Sequence, residues 1–291
     1  MNTYRLFRAI LTTAGCLAAA GTVSAQSGID NSAIGKPEFR EHKATYGLVY
    51  RLPKDVTDIL DNKIYPPLRD RLNTLGLKAE ARTFNLQHVT VVHIHSADPT
   101  TPAKMLKALD KVPPVLTLTL KDFYNTEASK GAGAPWWFDL GVVKSGQGYK
   151  DMMSFNTVAT SALTPLRDGP LPRCTGPVYA NMSDVAKELT RTVGVSGVNV
   201  MKDGKETASH NPHNTLVYSM TRYDERIQTA MKAFADEMNK VLPEGINTQF
   251  KDVSIVEIGF MGNVLREFYR ISLVDGSAYD TTSGAPVKLG K

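Results

Sequence analysis

Apolar and polar positions alternate over residues 45–52 (TYGLVYRL), a period of two that predicts a strand ending at Pro53. Val56, Ile59, Leu60, Leu68, Leu72 and Leu75 then recur at roughly helical spacing, with Asp55 placed to cap and Gly76 to stop. Pro66-Pro67 falls inside that run and must start a new segment or kink it. Alternation returns over 85–95 (NLQHVTVVHIH), and Thr101-Pro102 opens a short helix to Leu109. Residues 115–123 and 136–143 (WWFDLGVV) read as strands, with a turn at 131–135. A helix is expected over 149–162, a Pro/Gly-rich loop over 164–177, a helix capped by Ser183 to Thr192 and a strand over 197–202. Asn211-Pro212 introduces a strand over 213–219. Thr221 and Asp224 precede a helix to Leu242 with Ile227, Met231, Phe234, Met238 and Val241 on one face. Residues 252–260 and 264–273 predict a hairpin around Gly262-Asn263.

Both halves thus contain a strand, a helix and two further strands. Hairpin-joined neighbours make the sheets largely antiparallel, so the fold class expected is α+β. One domain is expected over 45–280, followed by a tail over 281–291.

The N-terminus reads as a cleaved export signal. Arg5 and Arg8 form a basic start, residues 9–23 carry no charge, and Val23-Ser24-Ala25 matches a signal-peptidase site before Gln26. Lipoprotein processing at Cys16 is the alternative. Residues 26–44 read as a linker, and the location expected is periplasmic or secreted. Of 291 residues, 42% are hydrophobic and 22% charged, which excludes a disordered or fibrous chain. Losing the signal removes two arginines, taking the formal charge from +5 to +3, and leaves Cys174 as the one cysteine of an internal-disulfide-free protein. No later stretch is apolar for long enough to span a bilayer, so no membrane association is expected after cleavage.

The candidate chemistry lies in a repeated tripeptide. His88-Val89-Thr90 sits on a strand of the first half and His213-Asn214-Thr215 on a strand of the second, 125 positions apart. On a strand, residues i and i+2 share a face, so each His travels with its Thr. If the two lobes face each other, two imidazoles and two hydroxyls converge. One neutral His can take a proton while a protonated one gives a proton to a leaving oxygen, and Thr hydroxyls can hold phosphate oxygens. Such a set needs neither metal nor cofactor.

The stretches FNLQHVTV (84–91) and PHNTLV (212–217) resemble the two His-x-Thr motifs of the 2H phosphoesterase superfamily, which includes the RNA 2′,3′-cyclic phosphodiesterases, also called 2′-5′ RNA ligase-like proteins. The resemblance extends over the order of elements from about Thr45 to Leu273. It implies a bilobal fold with a pseudo-twofold axis, two sheets with outer helices and a cleft between them. It also implies metal-independent transfer at a phosphodiester, with His88 and His213 as the acid/base pair and Thr90 and Thr215 holding the phosphate. The partner implied is a phosphodiester-containing small molecule or an RNA end, bound by a monomer, with no duplex nucleic acid. Val89 fits the apolar middle position of the motif; Asn214 departs from it. The alternative function is a non-catalytic exported binding protein on the same fold.

Strict alternation puts His93 and His95 with Val89 and Val91, facing away from His88. A zinc site drawing on His93, His95, His210 and His213 is a weaker reading, since no acidic or thiolate ligand accompanies them. Trp136-Trp137 could stack a base, although one of the two must face the core. Tyr46, Tyr50, Arg51 and Arg222 are further candidates to line the cleft. The glycine-rich 141–148 lacks the P-loop ending and reads as a turn. His42 is expected in solvent and Cys174 inert.

Overall fold

The computed structural model describes residues 44–77, 86–127, 136–167, 200–202, 205–207, 210–219, 221–258 and 264–290. The export signal, residues 26–43 of the expected linker with His42, Cys174, the turn at 131–135, the helix expected at 183–192 and the Gly262-Asn263 hairpin tip lie outside the described residues, while Ala44, expected as the linker's last residue, opens the first strand.

Strand β1 (Ala44–Arg51) leads into a helical run of three parts: α1 (Lys54–Ile59), a π-helical turn (Leu60–Ile64) and α2 (Tyr65–Thr74). Pro66 and Pro67 occupy the first turn of α2. Neither can donate to the preceding turn, and their rings crowd its carbonyls, so the ladder widens just before them. Gly76 ends the run with a φ of 76°, where a Cβ is unfavourable. Strand β2 (His88–Ser96), α3 (Thr101–Ala108), β3 (Leu116–Glu127), β4 (Trp136–Val142) and α4 (Gly146–Leu163) follow. A 3-10 turn (Thr164–Leu166) closes α4, and β5 (Val200–Lys202) and β6 (Lys205–Thr207) form a small hairpin. Then come β7 (His213–Ser219), α5 (Glu225–Val241), β8 (Ile246–Phe250), β9 (Asp252–Ile258), β10 (Val264–Ser272), β11 (Ala278–Asp280) and β12 (Pro286–Val287).

The class is α+β, built on two antiparallel sheets. One is six-stranded in the order β12-β11-β10-β9-β1-β2, and the other four-stranded in the order β7-β4-β3-β8. Neither sheet belongs to one half of the chain. The six-stranded sheet joins β1 and β2 to β9 through β12, and the four-stranded sheet joins β3 and β4 to β7 and β8. The chain halves therefore exchange strands, a topology that local periodicity does not encode. Residues expected as a tail contribute β12, whose Val287 pairs with Ala278.

Helix α4 packs against both sheets, with Phe155 meeting Tyr50 of β1 edge-on at 6.1 Å. The same Tyr50 ring lies 5.5 Å from Phe250 of β8, so one core runs from sheet to sheet. Helix α5 covers the four-stranded sheet. Asp224 caps it by accepting from the Ile227 amide at 2.9 Å, and Phe234 tilts against Phe138 at 5.4 Å. Ile227, Met231, Phe234 and Met238 are buried as the periodicity predicts, whereas Val241, on the last turn, is exposed. Arg71 of α2 ties back to α5 through Glu237 at 2.9 Å. Among the described residues, no helix is long and apolar enough to cross a membrane.

Candidate active site

Both tripeptides open an edge strand. His88 begins β2 at one edge of the six-stranded sheet, and His213 begins β7 at one edge of the four-stranded sheet. The edges touch at the motifs, where the buried side-chain amide of Asn214 reaches the His88 carbonyl.

The two histidines are held in the same way. His88 Nδ1 lies 2.7 Å from the Leu86 carbonyl and His213 Nδ1 lies 2.6 Å from the Asn211 carbonyl, each two residues upstream. A carbonyl can only accept, so Nδ1 carries the hydrogen in both rings, and Nε2 is the nitrogen that can gain or give a proton. Asn211 is itself fixed, donating through Nδ2 to the Tyr124 hydroxyl at 3.1 Å.

The two strands are also broken at the same place. Pairing of β2 with β1 passes from Thr90↔Val49 to Val92↔Leu48 and skips Val91; pairing of β7 with β4 passes from Thr215↔Asp139 to Val217↔Phe138 and skips Leu216. Each bulged residue is the third after its His. A bulge leaves one residue out of the ladder and bends its strand. On β2 the freed Val91 carbonyl is taken by the buried Asn156 of α4, whose Nδ2 donates at 2.6 Å.

The bulge corrects the expected orientation of His93 and His95. Directly paired residues of an antiparallel ladder share a face. His88, Thr90, His93 and His95 pair with Arg51, Val49, Gly47 and Thr45, which alternate regularly along β1 and so lie on one face. The extra residue shifts the side-chain period by one, returning His93 and His95 to the face of His88. His95 is buried there with Nδ1 3.0 Å from the Thr45 hydroxyl, several residues along the strand from the motif.

The same logic sorts the other candidates. Arg51 pairs with His88 and lies on its face, whereas Tyr46 and Tyr50 turn into the core. Arg51 Nη1 lies 3.1 Å from Glu267, which also binds Arg270 at 2.8 Å and accepts from the Ser254 hydroxyl at 2.6 Å. Arg222 is exposed. Trp136 is fully buried and stacks on Tyr223 at 5.2 Å, so it belongs to the core. Trp137 takes the opposite face, beside Asp139. The glycine-rich 141–148 is the end of β4, a short connection and the first turn of α4. Among the described residues, no three His, Cys, Asp or Glu side chains gather as a metal site. A cavity of about 540 Å³ opens between α3 and the C-terminal strands, lined by Leu106, Lys107, Tyr269, Val287 and Lys288, and holds none of the motif residues.

Asp139 is the site residue that the sequence reading missed. It pairs with Thr215 across β4 and β7 and is completely buried. The Thr215 hydroxyl donates to it at 2.8 Å, the Thr126 hydroxyl lies at 3.4 Å, and His213 Nε2 stands 3.9 Å away. Burial raises its pKa to about 6, and the nearby His213 and the hydrogen bonds from Thr215, Thr126 and Trp137 only partly offset that rise. The signal was present in the sequence: one carboxylate in the otherwise apolar strand WWFDLGVV demands a partner.

No family model matches the chain, and no curated protein matches its sequence. Among solved structures, the chain is similar to E. coli LigT complexed with phosphate, at 10% identity over 80% of this chain and 98% of that one, with a TM-score of 0.37. It is similar to a phosphoesterase at 12% identity, over 81% of this chain and 100% of that one, with a TM-score of 0.36. A third similar structure is Usb1 of Kluyveromyces marxianus, at 10% identity over 77% of this chain and 97% of that one, with a TM-score of 0.37.

Proposed function

We propose that the protein is an exported phosphodiesterase of the 2H type, acting on a cyclic or linear phosphodiester of a nucleotide or RNA end without a metal. The observation that carries this reading is the duplicated device: two His-x-Thr edge strands, each with its imidazole anchored through Nδ1 two residues upstream and each bulged three residues after the His. A structural histidine has no need of a second copy with the same anchor, the same bulge and a direct hydrogen bond between the two strands. In the reaction, one Nε2 takes the proton of the attacking water or hydroxyl as its oxygen bonds to phosphorus. The other Nε2–H gives its proton to the leaving oxygen as the second phosphorus–oxygen bond breaks. Thr90 lies beside His88 to hold a non-bridging oxygen, and Thr215 beside His213 holds another once its hydroxyl turns from Asp139, to which it donates at 2.8 Å, toward the phosphate. Export rests on Arg5, Arg8 and the Val23-Ser24-Ala25 site.

The test is a screen of the mature protein against 2′,3′-cyclic nucleotides, linear dinucleotides and phosphodiester model compounds in the presence of EDTA. Turnover that survives chelation and disappears in His88→Ala and His213→Ala supports the reading. Tight binding without turnover would point instead to a ligand-binding protein, and zinc-restored activity to a metal enzyme.

A further inference from the structure

The carbonyl that anchors His213 sits on an exposed segment. His213 Nδ1 donates to it at 2.6 Å, and Asn211 stands in solvent ahead of β7. Pro212 follows and offers no N–H to a ladder. The matching carbonyl of the first motif, Leu86, has other support. Its side chain packs on the cluster of Val49, Val256, Ile258 and Val264, and the next carbonyl, of Gln87, accepts from the Leu52 amide at 3.0 Å. Asn211 has instead a side-chain bond, its Nδ2 donating to the Tyr124 hydroxyl at 3.1 Å.

Tyr124 belongs to β3, and β4 runs between β3 and β7. Two features let the phenol reach across. The first is a bulge: from Leu120↔Val142 to Phe123↔Leu140, three steps along β3 match two along β4. Asp122 sits in that bulge at a φ of 68°, the one non-glycine residue in the left-handed region among those described. Leu116, Leu118 and Leu120 are buried before the bulge and Phe123 after it, so Tyr124 is delivered to the face of its ladder partner Asp139. The second feature is Gly141, the ladder partner of His213. A Cβ there would stand 3.2 Å from Tyr124 Cε1 and 2.9 Å from the Lys121 carbonyl oxygen, so the ring crosses β4 where a side chain is missing. Burial, with the Asp139 charge adding to it, raises the pKa of the phenol, so the hydroxyl stays neutral.

We propose that Tyr124 is a positioning residue that acts through the side chain of Asn211 to hold the carbonyl orienting the His213 ring. The inference rests on the phosphodiesterase reading and deepens it. His213 must present Nε2 to the phosphodiester, and the hydrogen bond at Nδ1 is what sets the tautomer and direction of the ring. That bond is only as firm as the Asn211 backbone, which Tyr124 steadies. Backbone strain of the kind held at Asp122 gathers at functional sites, and here it serves the placement of one hydroxyl.

The experiment records long-range proton–nitrogen correlations of the full chain with isotope-labelled histidine, at a pH where both rings are neutral, the two signals assigned with His88→Gln and His213→Gln. The spectra report which ring nitrogen carries the hydrogen. His213 should show the Nδ1–H form. Tyr124→Phe, which removes only the hydroxyl, should move it toward the Nε2–H form while His88 keeps its pattern. Asn211→Ala, at an exposed position, cuts the same link from the other side and should do the same, so the test stands even if Tyr124→Phe fails to fold. A His213 pattern that the folded variants leave unchanged, or one that changes only together with that of His88, overturns the proposal. On a phosphodiester that the chain turns over, Tyr124→Phe should lower kcat about tenfold, the effect of one hydrogen bond, with KM within about twofold. Adding Asn211→Ala to it should lower kcat little further, because both changes break one link. A raised KM with kcat unchanged also overturns the proposal, since Tyr124 would then bind substrate rather than place His213. A chain without turnover whose His213 pattern responds keeps the link and refutes the catalytic reading, whereas an active chain whose pattern does not respond does the opposite.

Discussion

The side-chain amide of Asn214 donates to the main-chain carbonyl of His88 at 3.2 Å, a buried bond between the middle residue of one motif and the histidine of the other. An edge strand leaves half of its backbone groups without a ladder partner, and a carbonyl left unpaired in the interior is costly. Asn214 supplies the missing donor where the first motif carries Val89, and it fixes the two edges relative to each other. Replacing Asn214 with Ala or Val should destabilise the fold by ~1–3 kcal/mol, the cost of leaving a buried acceptor unsatisfied. Phosphodiester turnover should fall as well, because the two histidines lose their common register. Denaturant unfolding and kcat measured together decide it: an Asn214→Val variant as stable and as active as the wild type would show the bond to be incidental.

Asn214 also marks where the sequence could be read and where it could not. Its departure from the apolar middle position is visible in the chain, but the reason lies on another strand 126 residues away. Strand and helix positions follow from local period, and so β1, β3, β4, β7 and α5 are legible to within a few residues. The exchange of strands between halves is a non-local choice, and the bulges at Val91 and Leu216 break the period on which the orientation of His93 and His95 was read. Asp139 was hidden for a related reason: its partners Thr126, Thr215 and His213 come from two other strands.

The paired histidines give a second prediction. His88→Ala and His213→Ala should each lower turnover by roughly 10²–10⁴, the contribution of one positioned acid or base. The double variant should cost far less than the product of the two losses, because the residues act as a unit. Thr90→Ala and Thr215→Ala should cost less, about 1–3 kcal/mol in kcat/KM. His95→Ala should spare the chemistry, since that ring is spent on Thr45 at the far end of the strand. Losses that simply multiply in the double variant would mean that the two rings do not share one reaction.

Gly148 tests how α4 is seated. A Cβ there would lie 2.1 Å from the Thr117 carbonyl oxygen of β3, a backbone atom that cannot step aside. Gly148→Ala must push the start of α4 away from the sheet, and α4 carries the Asn156 that holds the Val91 bulge. The expected outcome is a loss of stability on the order of 1–3 kcal/mol, the usual cost of overpacking, despite the better helix propensity of Ala. An unchanged unfolding midpoint would show that the contact between α4 and β3 is looser than this.

Asp139 links stability to pH. Its folded-state pKa is raised to about 6 by burial, above the ~3.9 of an unfolded aspartate. Between those values the folded chain binds the extra proton, so the contribution of Asp139 to stability is fully present below about pH 4, is lost as pH rises through about 6, and is level above that. The size of the loss is on the order of 2–3 kcal/mol. Asp139→Asn is neutral at every pH and should lack this slope. Thermal or denaturant unfolding of both proteins from pH 4 to pH 7 isolates the coupled effect of Asp139 and its neighbour His213, because more distant titrating groups act alike in each. The wild type should lose ground to Asp139→Asn across that range. If the wild type gains on the variant instead, the Asp139 pKa is depressed in the fold. His213 and the surrounding donors would then outweigh burial, and the carboxylate would stay ionised well into acid.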